Sequence, residues 1–172
     1  MKPDIICLGK GLGAGMPIAA VLFGDHREGF GPEAEELHTF ANNQVSQAAG
    51  YKLIEIVMRD QLLENTRAQG AWFKEQLQGL QAEFPEIGDI RQVGLHVGIE
   101  FVADPESRRP LEDETVAIRK EGMARGVLFG LGGVRRNVLK IKPPLIINRG
   151  EAEEVMDKFV GAMTAVLRGQ GA

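Results

Sequence analysis

Residues 4–8 (DIICL) and 18–23 (IAAVLF) are two short apolar runs, and only Gly9-Lys10-Gly11-Leu12-Gly13-Ala14-Gly15-Met16-Pro17 lies between them. Runs of this length, apolar throughout and partly β-branched, read as strands built for burial. The connecting segment holds too many glycines to continue as a helix. A buried strand needs neighbours on both sides, and two strands with one helix cannot close a core of their own. The first third of the chain therefore reads as the tail of a larger sheet.

The remainder of the chain follows a more familiar rhythm. Residues 25–37 are polar and acidic, with Gly29, Gly31 and Pro32, and read as a surface loop. A helix is expected over 43–58, with Thr39, Asn42 or Asn43 as its cap. A second is expected over 60–84, where Phe73, Leu77, Leu80 and Phe84 recur at three and four residues. Strands follow at 90–93 and 97–102 with Gly94 at their turn, then a helix over 112–125 that Gly126 stops. Further strands are expected at 127–130 and 138–142, the latter ended by Pro143-Pro144. The last helix opens on Asn148 with Glu151 three residues on, a capping-box spacing. This second part reads as an α+β domain.

Composition narrows the function classes. The 172 residues carry a net charge of −4, so no basic footprint points to nucleic acid or an anionic membrane. A single cysteine, Cys7, rules out a disulfide framework and a cysteine-rich zinc site, and three scattered histidines make a histidine cage improbable. No apolar run approaches the roughly 18 residues of a membrane span, and no leader opens the sequence. The expected compartment is the cytoplasm.

Lys10 is the sharpest residue for chemistry. It stands between glycines at the end of an apolar strand, where it is either a solvated turn lysine or an amine presented to a planar ligand that glycines allow close to the backbone. A lysine partly desolvated at such a place can form a Schiff base with a carbonyl. Two phosphate motifs fail here. A P-loop needs Ser or Thr after the lysine, and Gly11 follows; the Gly9-x-Gly11-x-x-Ala14 spacing must open a helix, and Gly15 and Pro17 follow instead. Elsewhere, Gly130-Leu131-Gly132-Gly133 is a turn or a backbone wall. Thr39 is a cap or a phosphate ligand near a helix N-terminus. Arg135, Arg136 and Lys140 are solvated charges or carboxylate anchors, and Trp72 is packing.

Four segments, in order, resemble the class III, fold-type I pyridoxal-phosphate aminotransferases. PDIICLGKGLGAGMPIAAVLFG is similar to the family's lysine segment, and HTFANNQVSQAAG to its Thr-Phe-Gly-Gly-Asn-Pro segment. RQVGLHVGIEFV resembles its Arg-Gly-x-Gly-Leu-x-x-Gly-Ile-Glu strand pair, and NVLKIKPPLII its Asn-x-x-Arg-x-x-Pro-Pro-Leu stretch. The resemblance implies an α/β fold. Residues 1–58 would be the C-terminal end of the cofactor-binding large domain, and 59–172 an α+β small domain. It implies pyridoxal 5'-phosphate as cofactor, held by Lys10 as a Schiff base, with Lys10 also moving a proton between substrate Cα and cofactor C4′. Thr39 matches the threonine that hydrogen-bonds the cofactor phosphate of a neighbouring subunit, so a homo-oligomer is implied. Lys140 stands where many members carry an arginine for the substrate carboxylate; it keeps the charge without the two-pronged grip. Ala41, Asn42 and Gln44 replace the usual Gly, Gly and Pro.

The implied function is amino-group transfer from an amine or amino acid to a 2-oxo acid or glyoxylate, and residues 130–137 lean toward the alanine–glyoxylate type 2 branch. Family members carry a long part before this lysine that supplies a phosphate loop, a stacking ring and the Asp that pairs with the pyridine nitrogen. The chain thus reads as a truncated gene product, a fragment, or one of two chains that complete the fold. The alternative function is an inactive remnant or interaction module, and a third is a related elimination or isomerisation.

Overall fold

The computed structural model describes residues 2–25 and 43–169, which fall into two compact units, Met1–Leu62 and Leu63–Ala172. The expected 25–37 loop, His38 and Thr39 lie outside the described residues, apart from Asp25.

In the first unit, β1 (Ile5–Leu8) and β2 (Ala20–Phe23) form an antiparallel hairpin, in register from Ile5↔Phe23 to Leu8↔Ala20. The Gly24 N–H donates to the Asp4 carbonyl at 2.8 Å and extends the pairing. The glycine-rich link is not wholly irregular: Lys10–Gly13 makes one 3-10 turn, short enough for glycines to tolerate. The second strand is two residues shorter than its apolar run, because Ile18 leaves the ladder and packs beneath Gly13. Helix α1 (Gln44–Arg59) begins at Asn43, whose Oδ1 accepts the Ser46 N–H at 3.0 Å. Of the caps considered, Asn43 is the one the described residues show. The strands composed for burial stay open in this unit, with Ile5 52% and Val21 51% exposed, since a two-stranded sheet cannot cover its own faces.

The second unit is a four-stranded antiparallel sheet in the order β3-β4-β6-β5, formed by β3 (Ile87–Val93), β4 (His96–Phe101), β5 (Gly130–Gly132) and β6 (Val138–Ile141). Helices α2 (Leu62–Leu80), α3 (Glu112–Ala124) and α4 (Arg149–Leu167) supply Phe73, Leu77, Ile118 and Phe159 to one core with Val97, Ile99, Phe101 and Leu139. Period-two alternation places one side of β4 in that core and leaves His96, Gly98 and Glu100 on the other.

Several boundaries differ from the sequence expectation, each for a local reason. Helix α2 stops at Leu80, and the chain then turns tightly, Phe84 donating its N–H to the Leu80 carbonyl at 2.8 Å so that its ring still reaches the core. Strand β5 lies at 130–132 rather than 127–130. Residues 127–129 instead close off α3: the Val127 N–H meets the Gly122 carbonyl at 2.9 Å, and Phe129 is buried against Gly122. The expected stops hold, with Gly126 at φ +85° after α3 and Gly94 at φ +55° between β3 and β4. The capping box at Asn148 and Glu151 is complete. Trp72 packs on the core with its ring edge-on to Phe73 and the Arg149 guanidinium 4.5 Å above it. Among the described residues no helix is long and apolar enough to cross a membrane.

Candidate active site

Lys10 follows β1 after the single residue Gly9 and opens the 3-10 turn with φ at +52°, the left-handed region that L-residues avoid. Three backbone bonds hold the turn: Leu12 N–H to Gly9 carbonyl at 3.2 Å, Ala14 to Gly11 at 3.1 Å and Met16 to Gly13 at 2.9 Å. Ile18 supports it from below, 2.7 Å from where a Cβ at Gly13 would lie, and a Cβ at Gly50 of α1 would stand 3.4 Å from the Leu12 carbonyl. Gly13 is therefore needed for close packing under the lysine, whereas a Cβ at Gly50 would sit in ordinary contact. Gly9 and Gly11 differ: a Cβ at either would meet nothing within 4 Å. The backbone on both sides of Lys10 is open to an approaching group, the lysine is exposed, and no carboxylate pairs with it among the described residues. A strained residue with no neutralising carboxylate among the described residues is a candidate for function rather than for stability.

Lys140 lies on β6 in the second unit. Its register partners are Gly98 on β4 and Gly130 on β5, and Gly98 is in turn opposite Arg91 on β3. One row across the sheet thus reads Arg91, Gly98, Lys140, Gly130, on the side away from the core. A cavity of about 500 Å³ opens on this side, lined by Arg91, His96, Gly98, Val138 and Lys140 among others. Arg91 donates to Asp89 at 2.5 Å and to Glu100 at 2.8 Å, and the Glu100 hydrogen bond leads in holding its guanidinium above the ordinary arginine value. Lys140 has no such partner among the described residues.

The other sequence candidates separate. Arg135 is spent on Glu112 at 2.7 Å. Arg136 sits at φ +56° in the link between β5 and β6, beside the Gly132-Gly133 backbone and Arg119. Thr39 lies outside the described residues. The Asp89–Arg91–Glu100 group was not singled out from sequence, although the alternation along 89–93 and 96–100 places all three on one face and would have exposed it.

A family model described as Aminotransferase class-III matches residues 1–163. The chain belongs to this family. It is 35% identical over 164 residues to the alanine–glyoxylate aminotransferase 2 homolog 2 of Arabidopsis thaliana, covering 94% of this chain and 34% of the relative. It is 34% identical over 169 residues to an (R)-1-hydroxy-2-aminoethylphosphonate ammonia-lyase of Vibrio splendidus, covering 98% of this chain and 35% of the relative. Among solved structures it is similar to an amine transaminase from an uncultivated Pseudomonas species in its PLP-bound form, with TM-score 0.85, 30% identity, and coverage of 95% of this chain and 39% of that one. The fold is that of the fold-type I, α/β pyridoxal-phosphate transferases. The chain spans about a third of the length of the curated relatives it matches.

Proposed function

We propose that this chain supplies the cofactor-holding lysine and a substrate-carboxylate anchor of a pyridoxal 5'-phosphate-dependent aminotransferase. Such an enzyme moves an amino group from an amine or amino acid to a 2-oxo acid or glyoxylate. The observation that carries this reading is Lys10, exposed and strained at the end of β1 between two glycines with open space around them, in a chain of the class-III family. The residues fit the group: a planar pyridine ring needs an uncrowded backbone and an unpaired amine, and among the described residues Gly9, Lys10 and Gly11 offer both.

When bound, the cofactor supplies an electron sink that acidifies the Cα proton of an attached amine. Lys10 would hold the cofactor by its Nζ and would move the proton between the substrate Cα and the cofactor C4′. By the family resemblance, Thr39 would hydrogen-bond the phosphate of a neighbouring subunit's cofactor in a homo-oligomer. Lys140 takes the substrate carboxylate through one charge-assisted bond, where an arginine would give two. In this reading residues 1–58 are the end of the cofactor-binding domain and 59–172 the small domain. The likeness to an alanine–glyoxylate aminotransferase 2 homolog favours glyoxylate as acceptor.

Titration of the purified chain with pyridoxal 5'-phosphate, alongside Lys10→Ala, tests the reading. A saturable visible band lost in the variant supports it and calls for donor screening. A band of equal strength in the variant rejects Lys10 as the holding residue. A second reading, an interaction module without catalysis, is favoured by the exposed apolar side chains Ile5, Val21, Leu22 and Phe23 of the hairpin. Amino-group turnover that depends on Lys10 would dismiss it.

A further inference from the structure

We propose that Gly130 and Gly132 are specificity-determining positions that bed the Lys140 side chain and set where its ammonium, which has no carboxylate partner among the described residues, meets a substrate on the open sheet face, selecting substrates with one carboxylate. The inference rests on Lys140 being the carboxylate anchor and adds how that anchor is placed and what it selects.

A Cβ at position 130 would lie 3.2 Å from the Lys140 Cβ and 3.4 Å from its Cε. A Cβ at 132 would lie 3.4 Å from Cδ, 2.9 Å from Cε and 2.7 Å from Nζ. The lysine stem therefore runs along β5 over two residues that lack side chains, filling the space those side chains would take. Neither glycine has the positive φ that would demand glycine for its backbone; a side chain at either position would instead displace the flexible end of Lys140.

This bed draws the ammonium toward the sheet edge and away from Gly98. A Cβ at Gly98 would meet only Val138 Cγ1 at 3.4 Å and the Arg91 carbonyl at 4.0 Å, so the middle of the row stays open. Arg91 and Lys140 stand two strand spacings apart, roughly 10 Å. A dicarboxylate reaching from one to the other would find Arg91 already bonded to Asp89 and Glu100. Its second carboxylate would have to break that group or lie beside two anions. A monocarboxylate meets no such obstacle, with Lys140 at one end and the Gly98–Val138 floor under its remainder.

Amide NMR of the full chain, titrated with propionate and with glutarate, tests the proposal. Wild type should show saturable shifts at Gly98, Gly130 and Gly132, with propionate bound more tightly than glutarate. Lys140→Ala should abolish them. Gly132→Val should weaken propionate binding by about tenfold, the size of one lost charge-assisted bond, with other resonances unchanged. Gly130→Ala, which presses only the stem, serves if valine disrupts β5, with a loss of about threefold. If Lys140→Ala binds as wild type does, the anchor reading itself fails. If Lys140→Ala fails to bind while Gly132→Val and Gly130→Ala bind normally, the anchor stands and the glycine bed is overturned. Glutarate bound as tightly as propionate, or more tightly, would overturn the single-carboxylate selection.

Discussion

The side-chain amide of Asn65 donates to the Ile147 carbonyl at 2.9 Å, across 82 residues, and to the Leu145 carbonyl at 2.7 Å. Helix α2 thereby fastens the segment that runs from the strand of Lys140 through Pro143-Pro144 to the capping box of α4. Neither carbonyl has an intrahelical partner, so Asn65 is their replacement. Asn65→Ala should lower unfolding free energy by about 1–3 kcal/mol, read from urea denaturation. Asn65→Asp should be at least as damaging, because it turns a donor into an acceptor facing two carbonyls.

Lys10 trades stability for presentation. At φ +52° a residue with a Cβ is strained by about 1 kcal/mol, and glycine is not. Lys10→Gly should therefore be more stable than Lys10→Ala by about that amount, while both lose the capture of pyridoxal phosphate. Hydrogen exchange at Leu12 and Ala14 reads this local difference. Equal protection in the two variants would show that the turn relaxes without its side chain.

The close approach of α2 to the β3–β4 turn leaves no room at Gly70. A Cβ there would lie 2.1 Å from the Gly94 carbonyl oxygen, and Gly94 is itself fixed at φ +55°. Gly70→Ala should cost about 2–3 kcal/mol by forcing helix and turn apart. Gly79 on the same helix has nothing within 4 Å, and Gly79→Ala should stabilise by up to about 1 kcal/mol. Paired thermal melts check the opposite signs.

One ion pair gives the fold a pH signature. Arg168 donates to Glu86 at 2.5 Å and stacks on Phe84 at 4.7 Å. Its hydrogen bond, against some desolvation, holds the Glu86 carboxyl below the ordinary glutamate value of 4.5. A carboxyl lowered on folding stabilises above its unfolded value, and that stabilisation is lost as pH falls through the folded one. Wild type should exceed Arg168→Gln in melting temperature above pH 4.5, and the gap should close on acidification below it. The effect is modest, because Arg168 is 40% exposed. A gap constant with pH would mean that Arg168 acts through packing on Phe84 alone.

Much of this was legible before any coordinates. Local rules act within a turn or two, so the Asn148–Glu151 box, Gly126, Gly94 and the core stripe of Phe73 and Leu77 could be read directly. What could not be read depends on partners distant in sequence. Strand β5 slid by about two residues because Phe129 is claimed by Gly122, and β2 lost Ile18 to the space under Gly13. At the candidate site, Lys10 was visible because glycines flank it. The compensation of Arg91 by Asp89 and Glu100, which distinguishes it from Lys140, requires the β3–β4 register.

The most direct test of the account is to trap the cofactor on the chain. The full chain would be incubated with pyridoxal 5'-phosphate at low excess, reduced with borohydride, and mapped by peptide mass spectrometry. The account predicts pyridoxyl label concentrated on Lys10, with the other lysines, Lys140 included, labelled only at background. Label spread over the exposed lysines in proportion to their accessibility, or concentrated on a lysine other than Lys10, would contradict it.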